Sequence, residues 1–146
     1  MSRCLYCDPG SYRASLALLL VRLVMGPAFI LHGWPKIQDP MVWMGEGAPV
    51  PGGLQLAAAV AEFGGGIAIT LGLLTPLAAL GLAITMAVAV GMVHIPAGDP
   101  FVGEHAWELP ATYFSLAILF LLIGPGRFSL DAMLFGRRGS GPDAGP

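Results

Sequence analysis

Residues 14–34 read ASLALLLVRLVMGPAFILHGW, an apolar run carrying one full charge, Arg22. A helix needs about 20 such residues to cross a ~30 Å hydrocarbon layer. A cleavable signal peptide has an apolar core of only about 7–15 residues, so this run reads as a retained membrane helix with signal-anchor behaviour. Three further apolar blocks follow, at 54–74, 77–96 and 107–124. None alternates strictly between apolar and polar residues, which argues against a β-barrel. Pro35, Pro40, Pro49 and Pro51 break the first connection, and Leu74-Thr75-Pro76 makes the second a tight hairpin. Ala97-Gly98-Asp99-Pro100 opens the third, and Gly124-Pro125-Gly126 ends the last block.

Composition agrees with four spans. Of 146 residues, 55% are hydrophobic and 11% charged. A soluble domain averages about 25% charged residues. The net charge of −2 leaves no footprint for a nucleic acid. Twenty-one glycines and 13 prolines would harm soluble helices. Membrane helices tolerate them, because neighbouring helices satisfy the freed backbone groups.

The expected fold is all-α, a transmembrane four-helix bundle with a short C-terminal interfacial helix. Residues 1–13 form a cytoplasmic N-terminal arm, 14–135 the bundle, and 136–146 a disordered cytoplasmic tail. Arg3, Arg13, Arg127, Arg137 and Arg138 fall on one side and only Lys36 on the other. The positive-inside rule then puts both termini in the cytoplasm of a multi-pass inner-membrane protein. Trp34, Trp43 and Trp107 lie near the outer ends of spans, as in an aromatic belt. Ser129 reads as the N-cap of the interfacial helix, and Asp131 suits its first turn.

Ionisable groups inside a membrane are costly, so each needs a reason. Arg22 and Glu62 are the only full charges deep in the spans. The economical reading pairs them across spans one and two. The pair is a structural clamp or, alternatively, part of a proton- or redox-coupled site with Glu62 at its floor. A second group gathers toward the outer side: His32 and Lys36 on span one, His94 on span three, Glu108 opening span four. On helical wheels Arg22, Gly26, Phe29, Gly33 and Lys36 share a face, provided Pro35 does not turn Lys36 away. Ala87, Gly91 and His94 share another, as do Glu108, Thr112 and Ser115. Small residues beside polar ones mark sides that face other helices. Each outer residue also has a plain explanation: an interfacial histidine, a lysine snorkelling to headgroups, a carboxylate at a helix N-terminus.

Cys4-Leu5-Tyr6-Cys7 has CxxC spacing, but Asp8-Pro9-Gly10 is not the helix start that depresses a thiol pKa. A structural zinc site needs four ligands and no second CxxC exists, so no metal is expected within one chain. Incidental cysteines, a redox or docking role, and half of an intermolecular metal site stay open.

The ordered pieces Val21-Arg22-Leu23-Val24-Met25-Gly26, Leu31-His32-Gly33-Trp34-Pro35-Lys36, Ala61-Glu62-Phe63-Gly64-Gly65-Gly66, Leu71-Gly72-Leu73-Leu74-Thr75 and Gly124-Pro125-Gly126-Arg127-Phe128-Ser129-Leu130-Asp131 resemble the DoxX family of small four-helix membrane proteins. The resemblance spans about residues 16 to 135 and leaves Cys4 and Cys7 outside. It implies a four-helix membrane fold and a link to quinone- or thiol-linked redox systems. The expected function is therefore a redox-associated membrane subunit with a polar pocket in the outer half. If the protein is an enzyme, it is a subunit of a quinone-linked oxidoreductase with His32, Lys36, His94 and Glu108 as catalytic residues. In that reading the histidines donate to quinone carbonyls, Lys36 stabilises developing charge and Glu108 relays protons. The sequence carries no haem-ligation motif, iron–sulfur run or dinucleotide fingerprint, so electrons would come from a soluble redox partner or reductant. The alternative is a non-enzymatic scaffold or assembly factor that docks soluble redox proteins through its Arg-rich C-terminal segment and Cys4–Cys7 arm. A small-solute permease ranks behind, since no inverted repeat is visible. A homo-oligomer remains open.

Overall fold

In the computed structural model residues 11–135 are described, and every regular element among them is helical. The order is α1 (Tyr12–Gln38), α2 (Gly52–Leu71), α3 (Thr75–Val88), a π-helical turn (Ala89–His94), α4 (Ile95–Ala97), α5 (Glu108–Ile123) and α6 (Leu130–Phe135). Expectations for Cys4, Cys7, Arg137, Arg138 and the 136–146 tail lie outside the described residues.

Three helical stretches are long and apolar enough to cross a membrane: Tyr12–Gln38, Gly52–Leu71 and Thr75–Ala97, of 27, 20 and 23 residues. The fourth apolar helix, Glu108–Ile123, has 16. At about 1.5 Å per residue it falls short of a ~30 Å core, a mismatch that local bilayer thinning accommodates. The Arg127 backbone N–H donates to Ser15 Oγ at 3.1 Å, and the Tyr12 and Phe128 rings meet edge to face. The beginning and end of the described chain therefore lie at one end of the bundle. The α1–α2 connection and the π-turn lie at the other.

α1 continues through Pro35 to Gln38, where a break was expected. Proline removes one N–H and crowds one carbonyl, but membrane helices tolerate this when neighbours hold the path. Here α2 holds it. A Cβ on Gly33 would lie 2.7 Å from Phe63 Cα, and one on Gly66 would lie 2.7 Å from the Ile30 nitrogen. The backbones thus approach as closely as small residues permit. Leu18, Met25, Phe29, Ile69, Leu82, Met86 and Phe120 fill the core between the four long helices. Gly33→Ala is expected to cost about 1–3 kcal/mol by overpacking against backbone. Gly64, with nothing within 4 Å of its missing Cβ, should accept alanine without loss. Denaturant melts of the two variants in detergent check this contrast.

The α2–α3 hairpin is set by Gly72, which ends α2 in the left-handed region at φ 65°, and by Pro76 in the first turn of α3. Asp131 does more than suit its own helix. Its Oδ1 and Oδ2 accept from the Leu74 and Thr75 N–H groups at 2.7 and 2.8 Å, capping the start of α3 from a distance. Ser129 caps α6 as expected, its Oγ accepting from the Ala132 N–H at 3.1 Å.

Candidate functional site

Because α1 runs on past Pro35, Lys36 lies one turn beyond Gly33 and faces α2. Its Nζ donates to Glu62 Oε1 at 2.6 Å. The Glu62 side chain is 3% accessible and that of Lys36 22%, so the carboxylate is the buried member. Glu62 Oε2 is buried with no hydrogen-bond donor among the described residues. On its other side the Lys36 ammonium sits 4.4 Å from the centre of the Trp43 ring, a cation–π contact. Trp43 is held in turn: its Nε1–H donates to the Gln55 carbonyl at 3.0 Å. The buried Gln55 side chain also accepts from the Met44 N–H and donates to the Val50 carbonyl. Trp43 thus belongs to the site as well as to any aromatic belt. Gln55 was not anticipated; its one signal was an amide inside an otherwise apolar block.

His94 enters from the π-turn. On a regular helix it would align with Ala87 and Gly91, as expected from the sequence, but both are exposed. The Ile95 N–H reaches back five residues to the Val90 carbonyl, which widens the turn and rotates His94 onto the side of Met86 and Ala89. Asp99 Oδ2 lies 2.7 Å from His94 Nδ1. An ionised carboxylate only accepts, so Nδ1–H donates to it and Nε2 is left for other partners.

These residues converge. His32, Lys36, Glu62 and His94 line one cavity of about 180 Å³, with Phe29, Tyr113 and Met86 among its apolar walls. His32 is exposed and stands at the rim. Three of the four residues expected at the site therefore meet, and Glu62 joins them.

Glu108 does not line this cavity. It opens α5 as an exposed residue, and Thr112 and Ser115 on its face are exposed too. Their hydroxyls donate to the Glu108 and Ala111 carbonyls of their own helix, so this face needs no polar neighbour. Ala117 and Phe120 are the buried α5 residues, and Tyr113 is among those packed against the core.

The Arg22–Glu62 pair is not formed. Arg22 is 2% exposed and spends its donors on carbonyls: Nε to Ile69 at 2.9 Å, Nη2 to Thr70 at 3.0 Å, Nη1 to Pro125 at 3.0 Å and Phe128 at 2.7 Å. The carbonyls of Ile69 and Thr70 belong to the last turn of α2, where the regular ladder runs out; the Ile69 carbonyl also accepts from the Gly72 N–H at 3.1 Å. Glu62 lies seven residues before Ile69, about 10 Å along the axis. Arg22 is the clamp that joins the end of α2 to the closing segment after α5.

That closing segment, the α1–α2 glycine contacts and the hairpin are the pieces on which the DoxX resemblance rested, and the DoxX profile itself matches residues 17–95. The chain belongs to the DoxX family. It is a DoxX-family integral membrane protein, similar along most of its length to several bacterial proteins. An uncharacterized protein of Haemophilus influenzae is 34% identical over 121 residues, covering 81% of this chain and 90% of the relative. The inner membrane protein YphA of Escherichia coli is 32% identical, covering 86% and 95%. The inner membrane protein YqjF of the same organism is 31% identical, covering 82% and 92%. No solved structure matches the chain.

Proposed function

We propose that this DoxX protein is a redox-associated inner-membrane subunit whose polar cavity holds the ring of a quinone-type molecule. The observation that carries the reading is the meeting of His32, Lys36, Glu62 and His94 around one cavity of about 180 Å³. A protein cavity of about 150 Å³ accepts benzene, so the space suits a single ring. The residue types fit its two oxygens. The Lys36 ammonium and a histidine N–H donate to a ring carbonyl, while Glu62 Oε2 accepts from a ring hydroxyl. Asp99 fixes the His94 ring so that Nε2 exchanges a proton with the bound group. When bound, such a ring supplies two-electron, two-proton redox chemistry, with electrons delivered by a soluble redox partner or reductant.

Names of the Escherichia coli relatives support an inner-membrane location for this chain as well. With the arginine-rich ends cytoplasmic, the cavity opens in the outer half of the bilayer. Titration of the purified protein with a chain-free benzoquinone, followed by Trp43 fluorescence, tests the reading. Combining His32→Ala with His94→Ala should weaken binding about tenfold or more, the loss of at least one hydrogen bond to a charged or polarised group. Equal affinity in both proteins overturns the site.

A further inference from the structure

The α1–α2 connection folds over a second cavity, of about 230 Å³. Trp43, Met44 and Val50 of that connection line it, with Thr85 and Val88 of α3 and Val93 of the π-turn. Gln55 fixes the connection there through its hydrogen bonds with Trp43, Met44 and Val50. Lys36 and Glu62 line both this cavity and the polar one, so the ion pair stands between them. The Trp43 N–H and the Thr85 hydroxyl are committed to the Gln55 and Gly81 carbonyls. Among the described residues, that leaves the ion pair as the polar feature open to an occupant. Its free positions are the remaining Lys36 N–H donors and the buried Glu62 Oε2, which has no donor.

We propose that this second cavity is a binding site for an uncharged aliphatic alcohol of medium chain length. A head group here has to donate to Glu62 Oε2 and accept from Lys36, and a hydroxyl does both with one atom. A carboxylate would meet Glu62 as a like charge, and an ammonium would meet Lys36 as one. A carboxylate oxygen has two lone-pair sites, which leaves Oε2 one for each cavity. Size favours a chain over a single ring. A cavity of about 150 Å³ accepts benzene, and about 230 Å³ filled to the same degree takes roughly nine heavy atoms, as in octanol. The valines and Trp43 supply the apolar walls that such a chain needs. The site stands apart from the ring reading above: His32 and His94 do not line it, and Ala58, Thr85 and Val88 do not line the polar cavity.

The probe is octanol carrying a diazirine in mid-chain, used on the protein in phosphatidylcholine nanodiscs. Photolysis should give saturable adducts on Thr85, Val88 and Val93. Unlabelled octanol should remove them about tenfold more effectively than nonane at the same mole fraction in the bilayer, the effect of a hydrogen bond to a charged group. Octanoate and octylamine should compete as weakly as nonane. Ala58→Phe, which fills the cavity, should abolish the adducts. Lys36→Met with Glu62→Leu should keep them but erase the preference for octanol over nonane. His32→Ala with His94→Ala should change neither, which separates this site from the ring in the polar cavity. Unsaturable adducts spread over lipid-facing Val24, Leu31 and Leu122 overturn the proposal. So does equal competition by octanol and nonane in the unaltered protein, a comparison that needs no variant to fold. Adducts that survive Ala58→Phe place the alcohol elsewhere and also overturn it.

Discussion

Arg22→Met is expected to be the most damaging single change in the bundle, costing about 3–6 kcal/mol, because hydrogen bonds to a charged group contribute about 1.5–3 kcal/mol each, and this guanidinium makes four, one buried and three partly buried. The guanidinium joins Ile69 and Thr70 at the end of α2 to Pro125 and Phe128 after α5. Its removal takes a donor from each of these carbonyls, leaving Ile69 only the Gly72 N–H, and frees the segment that carries Asp131 to the start of α3. Arg22→Lys should recover only part of the loss, since one ammonium cannot reach carbonyls on two sides with the fork of a guanidinium. Denaturant unfolding in mixed micelles measures both. An Arg22→Met protein as stable as the parent removes the clamp.

The second large effect is an asymmetry. Lys36→Met leaves the Glu62 carboxylate, 3% accessible, without its partner, at a cost of about 3 kcal/mol or more. Glu62→Leu should cost less, because the Lys36 side chain is 22% accessible and keeps Trp43 beside it. The double variant Lys36→Met with Glu62→Leu should regain most of the stability lost in Lys36→Met, since paired charges replaced together by apolar groups leave nothing stranded. A double-mutant cycle reads this directly. Coupling of Glu62 to Arg22 in place of Lys36 contradicts the observed pairing.

Much of the fold is legible in the residues. Apolar length locates four helices, Gly72 and Pro76 mark the hairpin, and Gly26 and Gly33 mark the face of α1 that meets α2. The site is legible in part. His32, Lys36 and His94 were recognisable as polar residues at one depth. The pairing was not, for two physical reasons. Pro35 reads as a stop in sequence, yet α2 packed against Gly33 carries the helix through it and delivers Lys36 to Glu62. Arg22 reads as a charge in need of a countercharge, yet the carbonyls of a helix end and a loop satisfy it, and these have no sequence signature. The π-turn is equally silent: one inserted residue's worth of rotation moves His94 from the face of Gly91 to that of Ala89. Glu108 was attractive as a charge at a span entrance, but a residue at the start of α5 turns outward while Tyr113 turns in.

The chain has three histidines, and the third, His105, is exposed in the loop before α5 and away from the cavity lining. It is an internal reference. Imidazole-labelled protein in nanodiscs, titrated with a chain-free hydroquinone, should show the His32 and His94 ring-nitrogen signals shifting together and saturating while His105 stays still. Motion of His105 alone, or of none of the three, would contradict a ring held between His32, Lys36, Glu62 and His94.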